Sequence, residues 1–204
     1  MRPLILASTS PYRANLLRQL GVPFDAHSAH VDEEVVKKSG LEPREVARVL
    51  ARQKAEALAE QFPDAILIGG DQVAEVDGLI LDKPGTVEKS IAQLKRLSGR
   101  THSLWTALAL HDAATGTTRD LVHEHRMTLR TLSDGQIRQY VERDQPLDCC
   151  GSYKIESLGI ALFEKIEGHD HTAIVGLPLM ELVTLLGEMG ITIPPEGGEV
   201  EERN

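Results

Sequence analysis

Short apolar runs alternate with amphipathic stretches along this 204-residue chain. Residues 3–7 (PLILA) are apolar and uninterrupted, which predicts a buried strand. Ser8-Thr9-Ser10-Pro11 then predicts a helix start. Ser10 suits the N-cap, and Pro11 suits the first turn, where its missing N–H costs nothing. Ala14, Leu16, Leu17 and Leu20 give that helix an apolar stripe, and Gly21 ends it. A second strand is expected within 22–32, running into the acidic cluster Asp32-Glu33-Glu34. From Glu42-Pro43 a long helix is expected to about Gln61, with Val46, Val49, Leu50 and Leu58 on one face.

The stretch 65–84 (AILIGGDQVAEVDGLILDKP) is the centre of the pattern. A short apolar run, 65–68, predicts a buried strand that stops at Gly69-Gly70; a second alternating run follows Asp71-Gln72, with a turn at Asp77-Gly78. Asp71 delivered from a strand end, with Gly70 admitting a ligand to the backbone, suits catalysis. The same residues also suit a hairpin whose aspartate caps a turn. A helix is expected at 87–97. A hairpin of 102–111 and 118–130 turns at Ala114-Thr115-Gly116, and a helix capped by Ser133 runs to about Arg143. Residues 151–154 read as a loop, 160–166 as a strand and 179–189 as a closing helix. Strands mixed with helices predict an α/β class with a mixed sheet. The organisation expected is one domain over 1–193 and an acidic, disordered tail over 194–204 (PPEGGEVEERN).

Composition narrows the function classes. Hydrophobic residues make up 41% and charged residues 26%, as in ordinary globular chains. Aromatics are 3% and the net charge is −9, which argues against base-stacking platforms, a general nucleic-acid surface and an anionic-membrane binder. The only cysteines, Cys149 and Cys150, are adjacent, so a disulfide framework is not expected and a reducing, cytoplasmic setting fits. Neither a secretory h-region nor a run of 18 apolar residues is expected to address the chain to a membrane.

Candidate chemistry begins at the first predicted helix. Free N–H groups, the hydroxyls of Ser8 and Ser10, and the Arg13 fork suit an anion, although capping by Ser10 alone would use the same residues. Glu33 and Asp71 are both read near strand ends, as a shared Mg²⁺ or Mn²⁺ would need. Lys54 sits in a helical stretch of small and apolar residues, and Lys83 precedes a proline. Two acids with Arg13, Lys54 and Lys83 are a set for phosphate-ester or anhydride chemistry. His123 with His125, and His169 with His171, are rival zinc pairs lacking a third ligand. Cys149 or Cys150 as a nucleophile lacks a partner base, and both read as inert.

The segments LILASTSPYRANLLRQLGVPF, HVDEE, RQKAEAL, IGGDQVAEVDGLILDKPGT, LSGRTHSLWTALAL, GSYKIESLGIALFEKIEG and VGLPLMEL carry a resemblance. In this order, over about 3–190, the chain resembles the Maf family of nucleoside triphosphate pyrophosphatases. The resemblance implies a long bent mixed sheet flanked by helices, with two lobes and a central cleft. It implies hydrolysis between the α- and β-phosphates of a nucleoside triphosphate with a divalent cation, and a homodimer. It makes Asp71 the proton acceptor, Glu33 a metal-associated carboxylate, and Ser8, Arg13, Lys54 and Lys83 the lining of the phosphate site. Substrate choice in the family tracks the positions of Tyr12, Gln72 and Glu156. An aromatic residue, Gln and Glu there resemble the 7-methyl-GTP subgroup rather than the dTTP/UTP subgroup. An aromatic face and a carboxylate both favour a base made cationic by N7-methylation. The other readings are dTTP/UTP hydrolysis and a non-catalytic nucleotide-binding regulator of septum formation. Residues 169–173 (HDHTA) depart from the family's usual Asn-containing loop.

Overall fold

A computed structural model describes residues 2–194, so the expected tail lies from residue 195 onward outside the described residues. The elements are β1 (Leu4–Leu6), α1 (Pro11–Arg18), β2 (Asp25–Ala26), α2 (Glu33–Lys37), α3 (Pro43–Glu56), β3 (Ile66–Val76) and β4 (Leu79–Leu81). After them come α4 (Val87–Leu97), β5 (Thr101–Asp112), β6 (Thr117–Leu129), α5 (Asp134–Asp144), β7 (Phe163–Glu167), α6 (Thr172–Val175) and α7 (Leu179–Glu188). The seven strands form one mixed sheet in the order β2-β1-β3-β5-β6-β7, with β4 also paired to β3. β1 is parallel to β2 and β3, and the remaining pairings are antiparallel. This is the α/β class that the alternating pattern predicts.

β3 organises the packing because its side chains alternate between two differently covered faces. Leu67 and Val73 pack with Val46, Ala47, Leu50, Ala51 and Ala55 of α3. On the opposite face, Ile66 and Ile68 join α1 and α7 through Leu16, Leu17, Leu182 and Leu186. Further along that face, Ala74 and Val76 join Leu94 and Leu97 of α4 and Ile137, Tyr140 and Val141 of α5. Fully burying each Leu, Ile or Val side chain stabilises the fold by about 1.5–3 kcal/mol. The two clusters on this second face part at Gly70 and Gln72, and a cleft opens there.

Five expectations change. The strand expected at 22–32 is only Asp25–Ala26, both exposed; β1 offers it a short edge, its last bond running from the His27 N–H to the Leu6 carbonyl, and residues 28–31 lie outside any strand. Asp32 then accepts from the Val35 N–H and caps α2, so Glu33 opens a helix and does not end a strand. The strand expected to stop at Gly69-Gly70 continues to Val76, because β5 pairs with it continuously from Ile66 to Glu75. Asp71 is therefore a mid-strand residue opposite Ala107, which removes the hairpin-turn reading. The strand expected from Ile160 starts at Phe163, after a 3₁₀ turn over Leu158–Leu162. The α3 helix also ends at Glu56, short of Gln61.

Candidate active site

The site sits at an interruption in one edge of β3. β1 pairs with Ile66–Ile68 and β4 with Ala74–Val76, so the backbone between them has no strand partner on that edge among the described residues. The Cys150 thiol, in a 3₁₀ turn over Cys150–Ser152, reaches into this gap and donates to the Gln72 carbonyl at 3.4 Å. Both glycines of the strand serve close approaches. A Cβ on Gly69 would lie 2.1 Å from the Ala51 carbonyl oxygen and 2.7 Å from the Ala55 nitrogen, so only glycine lets α3 lie this close. A Cβ on Gly70 would meet Nε of Arg13 at 3.3 Å. The space expected above Gly70 for a ligand therefore holds the Arg13 side chain.

On the α3 face, Asp71 is 6% exposed and pairs with Lys54, whose Nζ lies 2.6 Å from Oδ1. The same ammonium lies 2.7 Å from Oε1 of Glu33. The last turn of α3 thus joins the two carboxylates that the sequence singled out. Burial pushes the Asp71 carboxyl above its ordinary value, and the positive charges of Lys54 and Arg13 only partly offset this. Glu33 goes the other way. Burial raises it, but the Lys54 ion pair, with Lys37 and Lys83 nearby, wins and leaves it lowered. Among the described residues no three His, Cys, Asp or Glu side chains cluster as a closed metal cage. Two oxygen-donor carboxylates beside an open cleft instead fit a hard cation that takes its other oxygens from phosphates.

A cationic wall faces these acids. Ser10 caps α1 by accepting from the Arg13 N–H, and Ser8 accepts from the Ser10 N–H at 3.1 Å. Arg13 donates from Nε to the Gly176 carbonyl at 2.9 Å and from Nη1 to Ser8 at 3.4 Å, which fixes its fork. Lys83 is exposed and makes no ion pair among the described residues. The cleft has a volume of about 390 Å³, and an adjoining cavity of about 310 Å³ shares Ser10, Tyr12, Arg13, Glu33, Lys54, Lys83 and Asp148 with it.

Gln72 points to the opposite face of the sheet from Asp71, and its side chain still lines the cleft. Its Nε2 donates to Oγ1 of Thr106 and to the carbonyls of Ala173 and Ile174 at 2.9–3.0 Å. All of these partners accept, so they fix the amide orientation and leave Oε1 as the group for a ligand. Toward a ligand, Gln72 therefore offers an acceptor only. Tyr12 and Glu156 line the same cleft, and Glu156 is exposed.

The model of the Maf-like protein family matches residues 3–189. The chain belongs to this family. It is 47% identical to the 7-methyl-GTP pyrophosphatase of Hahella chejuensis over 94% of this chain and 96% of that protein. It is 45% identical to the 7-methyl-GTP pyrophosphatase of Pseudomonas aeruginosa over 95% of this chain and 100% of that one. A third relative of the same name, from Syntrophotalea carbinolica, is 41% identical over 95% of this chain and 98% of its own length.

In this Maf-like chain every residue predicted for the phosphate site and the three specificity positions lines the main cleft except Ser8, which lines the cavity adjoining it; the four candidate zinc histidines line neither. Sequence reading missed Lys37, which pairs with Asp82 at 2.9 Å and lies 3.7 Å from Glu33. The Glu33–Lys37 spacing of four residues was the available signal. It also missed Asp148, and no local pattern marked that residue. Burial, reinforced by the charge of Asp148, pushes the Cys149 thiol to about 12; burial and the charge of Asp71 push Cys150 to about 11, so both stay protonated. His123 contacts Glu181 at 3.0 Å on the α7 side of the sheet, and its neighbour His125 is buried.

Proposed function

We propose that this Maf-like protein is a nucleotide pyrophosphatase that hydrolyses the α–β phosphoanhydride of 7-methyl-GTP, giving the monophosphate and pyrophosphate. Its relatives named as 7-methyl-GTP pyrophosphatases support the substrate. The observation that carries the chemistry is the buried Asp71 carboxylate, bridged by Lys54 to Glu33 and open to a cleft that Arg13, Lys37 and Lys83 also line. In this reading Arg13, Ser8, Ser10 and Lys83 hold the phosphate oxygens and orient the anhydride. The ionised Asp71 carboxylate takes the proton of the attacking water, and burial, by raising its affinity for that proton, makes it a better base. Lys54 holds Asp71 and Glu33 in register. Glu33 and Asp71 would hold Mg²⁺ or Mn²⁺, which when bound neutralises charge on the phosphates. Tyr12, Gln72 and Glu156 read the base: a stacking face, an acceptor for a guanine N–H, and a carboxylate near a cationic ring.

The test is product identification after incubation with 7-methyl-GTP and Mg²⁺. The reading requires 7-methyl-GMP and pyrophosphate. Formation of the diphosphate and orthophosphate would place the cut elsewhere and contradict it. No product from any nucleoside triphosphate by folded protein would favour a binding role.

A further inference from the structure

One acidic side chain stands in the cleft where a triphosphate site has least use for it. Asp148 lines both cavities, beside Tyr12 and within the space also bounded by Arg13, Lys54 and Lys83. A carboxylate there repels the phosphates of every nucleotide. All its contacts fall on one oxygen: Oδ1 accepts from the Tyr12 hydroxyl at 3.4 Å and the Cys149 thiol at 3.5 Å, and lies 3.8 Å from the Lys154 ammonium. Nothing among the described residues donates to Oδ2, and the side chain is 56% exposed.

Lys154 limits what Tyr12 can contribute to holding a cation. Its ammonium is fastened to the carbonyls of Asp144 and Gln145 at the end of α5, at 3.1 and 3.2 Å. There it lies 5.9 Å from the centroid of the Tyr12 ring and does not line the cleft. One face of the ring is thus covered by a positive charge, which weakens the pull of the π system on a second cation stacked against the other face. The negative charge that favours a cationic base must come from beside the ring. Asp148, which accepts from the Tyr12 hydroxyl, is the carboxylate placed to supply it, and Glu156 lines the same cleft.

We infer that Asp148 is a specificity-determining residue, whose charge disfavours nucleotides with neutral bases and favours a base that carries a positive charge of its own. The inference rests on the 7-methyl-GTP reading and adds a residue outside the three positions already named. It requires opposite signs for two substrates that differ by one methyl group and one charge.

The experiment measures kcat/KM for 7-methyl-GTP, GTP and 7-methyl-7-deaza-GTP, which keeps the methyl but has no ring charge. In Asp148→Asn, kcat/KM falls about fivefold for 7-methyl-GTP and rises up to about twofold for the two neutral-base substrates. Both changes shrink as salt is added. Asp148→Glu restores the charge and keeps the wild-type order. An equal loss on all three substrates would make Asp148 a mere support for Tyr12 and overturn the inference, as would an unchanged ratio. Wild-type protein that handles 7-methyl-GTP and its deaza analogue equally, both better than GTP, reads methyl shape and overturns this inference alone. Wild-type protein with no preference for 7-methyl-GTP over GTP contradicts the substrate reading itself.

Discussion

Asp71 and Gln72 are neighbours in one strand, yet they serve two differently built ends of the cleft. Asp71 faces α3, where regular elements meet at close quarters and the partners are charged and nearly buried. Gln72 faces the gap between two core clusters, and its partners are carbonyls of α6, a helix of four residues. Tyr12 and the exposed Asp148 and Glu156 complete that end. On the proposed function, the difference is a division of labour. A base that moves a proton needs a fixed position and a shifted pKa, which burial against a helix provides. A pocket that distinguishes bases needs side chains that can change without unfolding the sheet.

The comparison breaks most visibly at Asp71. Asp71→Asn should lower kcat by about 10²–10⁴-fold while leaving the substrate order unchanged, measured by pyrophosphate release. A change in substrate order would mean that the two ends are not separate. Next in size is the close approach that places Lys54. Gly69→Ala forces its Cβ against the Ala51 carbonyl and the Ala55 nitrogen. It should destabilise the fold by about 3 kcal/mol or more in urea unfolding, because backbone on both sides must move.

The floor beneath the Gln72 end of the cleft should be sensitive to acid. His102 is buried against Tyr153, its Nε2 2.9 Å from the phenol oxygen, and burial lowers its pKa from 6.5 to about 4. As pH falls below 6.5 the unfolded chain takes up a proton that the folded state refuses until about 4. Stability present above the upper value is therefore lost on acidification, by about 3 kcal/mol across that window. His102→Gln should remove this part of the slope in unfolding measured at pH 7, 5.5 and 4.5. The smallest effect is the most selective. Glu156→Gln combined with Gln72→Thr should shift the kcat/KM ratio of 7-methyl-GTP to dTTP about tenfold toward the pyrimidine.

The sequence was most legible where periodicity and capping are local. Ser10 and Pro11 start α1, Ser133 starts α5, and the β5–β6 hairpin turns where its glycine predicts. It misled where tertiary pairing decides. Gly69-Gly70 reads as a strand end, but the continuous partner β5 carries β3 through both glycines. Their purpose, admitting α3 on one face and Arg13 on the other, depends on elements distant in the chain. Glu33 could be named as a site acid but not placed on a helix, because five residues of α2 show no period. Asp148 carried no sequence signal, since its surroundings are brought together only by folding.

The measurement that tests the account most directly is kcat/KM of the unaltered protein with Mg²⁺ for 7-methyl-GTP, GTP, dTTP and UTP, read as pyrophosphate released. The account predicts that 7-methyl-GTP exceeds each of the others by about tenfold or more. Preference for dTTP or UTP would leave the chemistry of Asp71 standing and contradict the reading of Tyr12, Gln72, Asp148 and Glu156.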